Sequence, residues 1–222
     1  MNTMNLFNVA CTSLLISLSG TALQANETDP LSPSEQEKAL SLSISVTSRA
    51  ATNTQRRSTT NSDNNELLLI ERRRIGKEQS SQRLADVYHY DYTENETIHT
   101  VINLDTQQVI STQHQQYLQL PLTENELQRA SDIIFADLEE AALIKSEYQR
   151  ITGQYLSSPQ QLNIKAFAFS SDTLPEQLNP ASQQCGLHRC AQVLLYTHDS
   201  IVFEISPIVN LSAGIVTQNI GY

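Results

Sequence analysis

The chain has no tryptophan, six glycines and three cysteines among 222 residues. So few glycines leave little room for loop-built phosphate cradles, which need backbone that reaches positive φ and approaches a ligand closely. No Gly-x-Ser-x-Gly, no Gly-rich nucleotide loop and no His-Glu-x-x-His helix occurs. The usual motifs of serine hydrolases, nucleotide binders and zinc proteases are therefore missing. Basic residues are scarce as well: 14 Lys and Arg stand against 24 Asp and Glu, a formal net charge of −10. Such a surface disfavours sequence-independent binding to nucleic acid or to anionic lipid heads. No apolar run reaches the ~20 residues that a membrane-spanning helix needs.

What is present is a duplication. Leu84 to Gln113 reads as a three-stranded antiparallel meander, and it returns in altered form from Cys190 to Gln218. Ala85, Val87 and Tyr90 match Ala191, Val193 and Tyr196, and Val101-Ile102-Asn103-Leu104 matches Ile208-Val209-Asn210-Leu211. The strands alternate in polarity and are joined by short polar turns, as hairpins require. A further strand precedes each meander, at Glu66–Ile75 and Leu162–Ser170, and a helix precedes each of those. The first helix starts at Ser32-Pro33-Ser34-Glu35, a capping box with proline at the first helical position. It is expected to run to about Val46, although Leu40, Leu42 and Ile44 alternate with serine and leave a strand open as the alternative. The second starts at Pro121-Leu122-Thr123-Glu124-Asn125-Glu126, and a stripe of Leu127, Ala130, Ile134, Leu138 and Ala141 predicts one helix to about Arg150.

The resulting expectation is an α+β chain of two tandem units, 30–118 and 119–222, each a helix packed on a four-stranded antiparallel sheet, with residues 48–65 a polar loop in the first. Residues 1–25 read as a signal peptide, with cleavage after Ala22 or Ala25; Met1–Asn5 lacks the usual Lys or Arg. The alternative there is an ordinary buried N-terminal segment. Cys11 lies inside the apolar stretch rather than after it, which argues against a lipid anchor. The basic run Arg72-Arg73-Arg74 reads as a charged edge strand that resists edge-to-edge pairing, against the alternative of a binding patch.

This order resembles the tandem N2 and N3 domains of copper amine oxidases, which are cystatin-like α+β units. The likeness is carried by Asp29 to Pro33 with Glu35, by Ala85 to Tyr92 and Val101 to Asp105, and by Pro121 to Glu126, Arg189 to Tyr196 and Val209-Asn210-Leu211. The resemblance implies a scaffold role and a bacterial periplasmic setting. No cofactor-forming tyrosine or copper-binding histidine set of that family maps here, so it implies neither oxidase activity nor a cofactor.

One constellation could carry chemistry: Cys185-Gly186-Leu187-His188-Arg189-Cys190. In an exported chain a structural disulfide between Cys185 and Cys190 is the first expectation. A redox pair, or a metal site using Cys185, His188 and Cys190, are the alternatives. His89 and Asp91, two apart on a strand, could orient a general base. Tyr88, Tyr90 and Tyr92 could line a cleft between helix and sheet and serve a small-molecule carrier. No catalytic constellation emerges. The leading expectation is a non-enzymatic exported interaction module whose partner is another exported protein, met through a sheet edge. Asn26, Asn95 and Asn210 match the glycosylation pattern.

Overall fold

The computed structural model describes residues 29–53, 64–74, 82–173 and 176–221. The expected signal segment lies outside them. The first half consists of helix α1 (Pro33–Asn53) and strands β1 (Asn65–Arg72), β2 (Leu84–Asp91), β3 (Glu96–Asn103) and β4 (Gln108–Gln115). The strands form one antiparallel sheet in sequence order. Ser32 opens α1 as its sequence requires: its backbone N–H and its hydroxyl both donate to Glu35 Oε2, at 2.7 and 2.9 Å. The alternation in α1 does not make a strand. Ala39, Leu42 and Ser43, spaced three and four apart, face the sheet while Ile44 is exposed. The helix also continues through Asn53, into the stretch from 48 read as loop. Once a helix is nucleated, each added residue closes one more backbone hydrogen bond, so the helix can extend beyond its apolar stripe.

The second half contains α2 (Glu124–Ala136), α3 (Leu138–Thr152), a 3-10 turn at Pro159–Gln161, and β5 (Leu162–Phe169), β6 (Cys190–Thr197), β7 (Pro207–Asn210) and β8 (Ile215–Asn219). These strands form a second four-stranded antiparallel sheet, again in sequence order. The single helix expected to Arg150 is instead two helices. Asp137 leaves helical geometry at ψ 117° and caps α3, its carboxylate accepting from the N–H groups of Glu139 and Glu140. A local side-chain cap here outcompetes continuation of the helix. Leu138, placed on the apolar stripe by periodicity, is 85% exposed as a result.

The first sheet buries one face under α1, the second under α2 and α3. In the first, Leu31 and Ala39 pack on Ala85, Val87, Ile102 and Leu104. In the second, Ala130, Ile134, Ile144 and Tyr148 pack on Ala191, Val193, Leu195, Val209 and Leu211. Full burial of one such aliphatic side chain contributes about 1.5–3 kcal/mol. The matched pairs Ala85/Ala191, Val87/Val193, Ile102/Val209 and Leu104/Leu211 thus occupy matched core positions. The two Asn-Leu pairs agree in detail. Leu104 N–H donates to Arg83 O and Leu211 N–H to Arg189 O, both at 2.8 Å. Asn103 Oδ1 accepts from Asp105 and Thr106 N–H, and Asn210 Oδ1 from Ala213 N–H, holding the turns that follow. Asn210 is buried, so its glycosylation match is incidental.

Candidate functional site

Cys185 and Cys190 are joined as a disulfide, with Cα atoms 5.5 Å apart. Gly186 makes the closure: it sits at φ 109°, and a Cβ there would come within 2.9 Å of Ser170 Oγ. Both cysteines are buried, at 2% and 0% exposure. A thiolate exchange partner therefore has no line of approach in the folded state. The His188 Nδ1 lies 3.0 Å from Asn210 Nδ2, which donates to it. Among the described residues no group of three or more His, Cys, Asp or Glu is arranged to hold a metal ion.

The residues that organise the molecule are two arginines, Arg83 and Arg189, whose role as clamps the sequence did not show. Arg83 immediately precedes β2 and Arg189 immediately precedes β6. Arg189 donates from Nε and Nη2 to the two carboxylate oxygens of Glu126 (2.7 and 2.9 Å), and from Nη1 and Nη2 to the carbonyls of Leu120 and Pro121 (2.7 and 3.0 Å). Arg83 repeats this on Glu35 (2.8 and 3.1 Å) and on the carbonyls of Asp29 and Pro30 (2.7 and 2.9 Å). In each half the glutamate that completes the capping box also anchors the helix start to the sheet. The hydrogen bonds from Arg83 hold the Glu35 carboxyl down at about 2.

The fourth donor to each glutamate differs, and this joins the halves. Glu35 receives it from Ser32 Oγ within its own half. Glu126 receives it from Tyr92 of the first half, at 2.8 Å. Thr123, freed from that task, donates its hydroxyl across to Glu66 at 2.7 Å. Burial, reinforced by the Glu126 carboxylate, pushes the Tyr92 phenol far above its ordinary range. Tyr90 packs edge-on to Tyr92, beneath the Arg189 guanidinium. Tyr90 and Tyr92 therefore bind the second half, and they do not line a cleft under α1.

His89 and Asp91 do not form a dyad. His89 is buried beneath α1 with Ser43 Oγ 3.1 Å from its Nε2, and burial lowers its pKa. Asp91 caps the turn after β2 through Thr93 and Glu94 N–H. A different histidine, His99, lies on the opposite face of the sheet. Its ring stacks on Tyr88 at 4.4 Å, and its Nε2 donates to Asp86 Oδ1 at 2.7 Å. Arg73 Nη1 reaches the same oxygen at 2.9 Å. Together with Glu71, Arg72 and Arg74 these side chains border an open cavity of about 430 Å³. A second hollow, of about 320 Å³, runs between α2 and β5 and is lined by Leu127, Phe135, Leu162 and Ile164 among others. Among the described residues no helix is long and apolar enough to cross a membrane.

No protein-family model and no curated protein matches the chain. The solved structures do contain its fold. A copper-containing benzylamine oxidase from Hansenula polymorpha superposes with a TM-score of 0.53 at 13% sequence identity, over 89% of this chain and 30% of that one. This chain thus spans less than a third of the length of the oxidase it matches, and what the two share is an α+β arrangement of the amine-oxidase N-domain type.

Proposed function

We propose that the chain is an exported, non-enzymatic protein-interaction module of the amine-oxidase N-domain type, and that it takes an extended segment of another exported protein along β5. The hollow beside β5 carries this reading. Among the described residues strand β5 is a sheet edge with a ladder partner only in β6, and α2 sets Leu127 and Phe135 alongside it. A segment added there completes the free backbone groups of β5 and drops alternate side chains into the hollow. The other edge, β8, is already covered: Asn179 Nδ2 donates to Thr217 O at 2.6 Å and Gln218 Nε2 to Gln177 O at 2.7 Å. Lys165 on β5 discourages pairing between two copies of the chain. Exposed Glu124 and Asp132 also border the hollow, which suits an apolar segment flanked by Lys or Arg. The signal-like residues 1–25 and the buried disulfide support export to an oxidising compartment such as the periplasm.

The test is photo-crosslinking in the native compartment, with the crosslinker placed at Asn163 beside the hollow or at Ile110 on the far edge. A discrete exported protein captured from position 163 and not from 110 is the expected result. Capture from both positions alike, or from neither, removes β5 as the docking edge. Export is checked separately, by finding a mature N-terminus after Ala22 or Ala25.

A further inference from the structure

We infer that the open cavity on the outer face of the first sheet is a binding site for a small organic oxyanion, a carboxylate or phosphate carried on a ring-bearing molecule. The inference does not depend on the β5 docking reading, because it concerns the other sheet. Three strands contribute. The end of β1 and the residues after it bring Arg73 and Arg74, β2 brings Asp86 and Tyr88, and β3 brings His99. The register sets Tyr88 directly opposite His99 and Glu71 opposite Asp86, which places these side chains on one face.

Asp86 is the organiser and not the ligand site. Its Oδ1 accepts from both Arg73 Nη1 and His99 Nε2, and its side chain is 10% exposed. That leaves its charge answered and fixes both partners. The Arg73 side chain is 41% exposed, and its Nε and Nη2 donate to nothing among the described residues. Arg74 is exposed and has no hydrogen bond or ion pair among the described residues. The Tyr88 hydroxyl makes no hydrogen bond with a described residue either. Burial, with Asp86 second, raises the pKa of Tyr88 and keeps it a donor. Three donors of oxyanion chemistry therefore border one hollow, beside a flat platform formed by the stacked Tyr88 and His99 rings.

Size and charge agree. A cavity of about 430 Å³ lies within the roughly 300–1,000 Å³ of small-molecule sites. On a chain of net charge −10, general uptake of anions is disfavoured, so an anion that binds must do so at a local cluster. Glu71, the other acid at the cavity, is exposed to water, where screening weakens its repulsion. Arginine's planar fork matches a carboxylate or phosphate better than a point charge does.

The test is a titration of the full mature chain with inorganic phosphate, benzoate and, as the uncharged control, benzamide, read by NMR at the arginine Nε–H and histidine ring signals. Saturable shifts at Arg73 and His99 with phosphate or benzoate, and none with benzamide, are expected. The phosphate and benzoate arms decide which oxyanion is preferred. Arg74→Gln, which breaks no contact between described residues, should weaken binding about tenfold or more, as loss of a charge-assisted hydrogen bond does. Tyr88→Phe should weaken it less while leaving the fold intact. Shifts that do not saturate, that spread evenly over all arginines, that appear equally with benzamide, or that survive Arg74→Gln unchanged overturn the assignment.

Discussion

Arg189 and Glu126 form an ion pair at 0% and 1% side-chain exposure, with Nε 2.7 Å from Oε1. Arg83 and Glu35 make the same pair at 9% and 22%. Burying charge is costly unless every lone pair and proton finds a partner. Glu126 meets that condition with four donors: Arg189 Nε and Nη2, Tyr92 Oη and Thr123 N–H. The clamp therefore sits where each helix start, each sheet and, in the second half, the opposite half meet.

Removing one member of the buried pair leaves the other uncompensated. Arg189→Ala should cost about 3–5 kcal/mol in urea unfolding, the range for a broken buried pair. Arg83→Ala should cost distinctly less, because water reaches Glu35. Equal losses in the two variants would show that burial does not set the difference.

Tyr92→Phe keeps the ring that packs on the second core and deletes only the bond to Glu126. A hydrogen bond to a charged group is worth about 1.5–3 kcal/mol, and a loss of that order is expected. The cost should vanish when Glu126 is also replaced, so a double-mutant cycle reads the coupling between the halves directly.

Stability should fall on both sides of a pH optimum. Glu35, lowered from 4.5 to about 2, stabilises the fold fully above its ordinary value, and that contribution is lost as pH falls towards 2. His89, lowered by burial, acts in the same direction: its contribution is complete above its ordinary 6.5 and declines as pH falls below it. Glu140 acts oppositely. Burial raises it, so its contribution is complete below 4.5 and is lost as pH rises through the raised value. Among the described residues its Oε1 is a buried acceptor with no donor, and a proton on the carboxyl turns that side chain into a donor. Glu140→Gln should gain stability at pH 7 relative to pH 4. A parallel shift of the whole pH profile would contradict this role for Glu140.

The disulfide should be inert until the chain unfolds. Thiol titration with a reductant present should give no labelled Cys185 or Cys190 in the native protein and two labelled cysteines after denaturation. Because the bridge closes only five positions of sequence, replacing both cysteines by alanine should cost less than the ~3 kcal/mol of a 15-residue loop. Ready labelling in the native state would reopen a redox role for Cys185, His188 and Cys190.

Much of the architecture could be read from local pattern. The strands answer to period-two alternation, and their observed limits fall within a few residues of those expected. The helix starts answer to Ser32-Pro33-Glu35 and Thr123-Glu126. The helix break escaped because Asp137 interrupts an apolar stripe without a Gly or Pro to mark it. The clamps escaped because arginine next to a strand reads as surface charge. A signal was nevertheless present: Arg83-Leu84-Ala85 and Arg189-Cys190-Ala191 stand at equivalent places in the two copies, each with a glutamate at the third position of its helix.

What the sequence by itself determined is the set of elements, their order and their duplication, since periodicity, caps and turns act over a few residues. Tertiary structure alone decided which charges are buried and what each side chain faces. Tyr88, Tyr90 and Tyr92 share one strand face, yet Tyr90 and Tyr92 lie against Arg189 and Glu126, while Tyr88 stacks on His99 at an open cavity. The strand period sets the face but not the neighbour. The neighbour depends on how the second half docks, through contacts between residues tens of positions apart that no local pattern encodes.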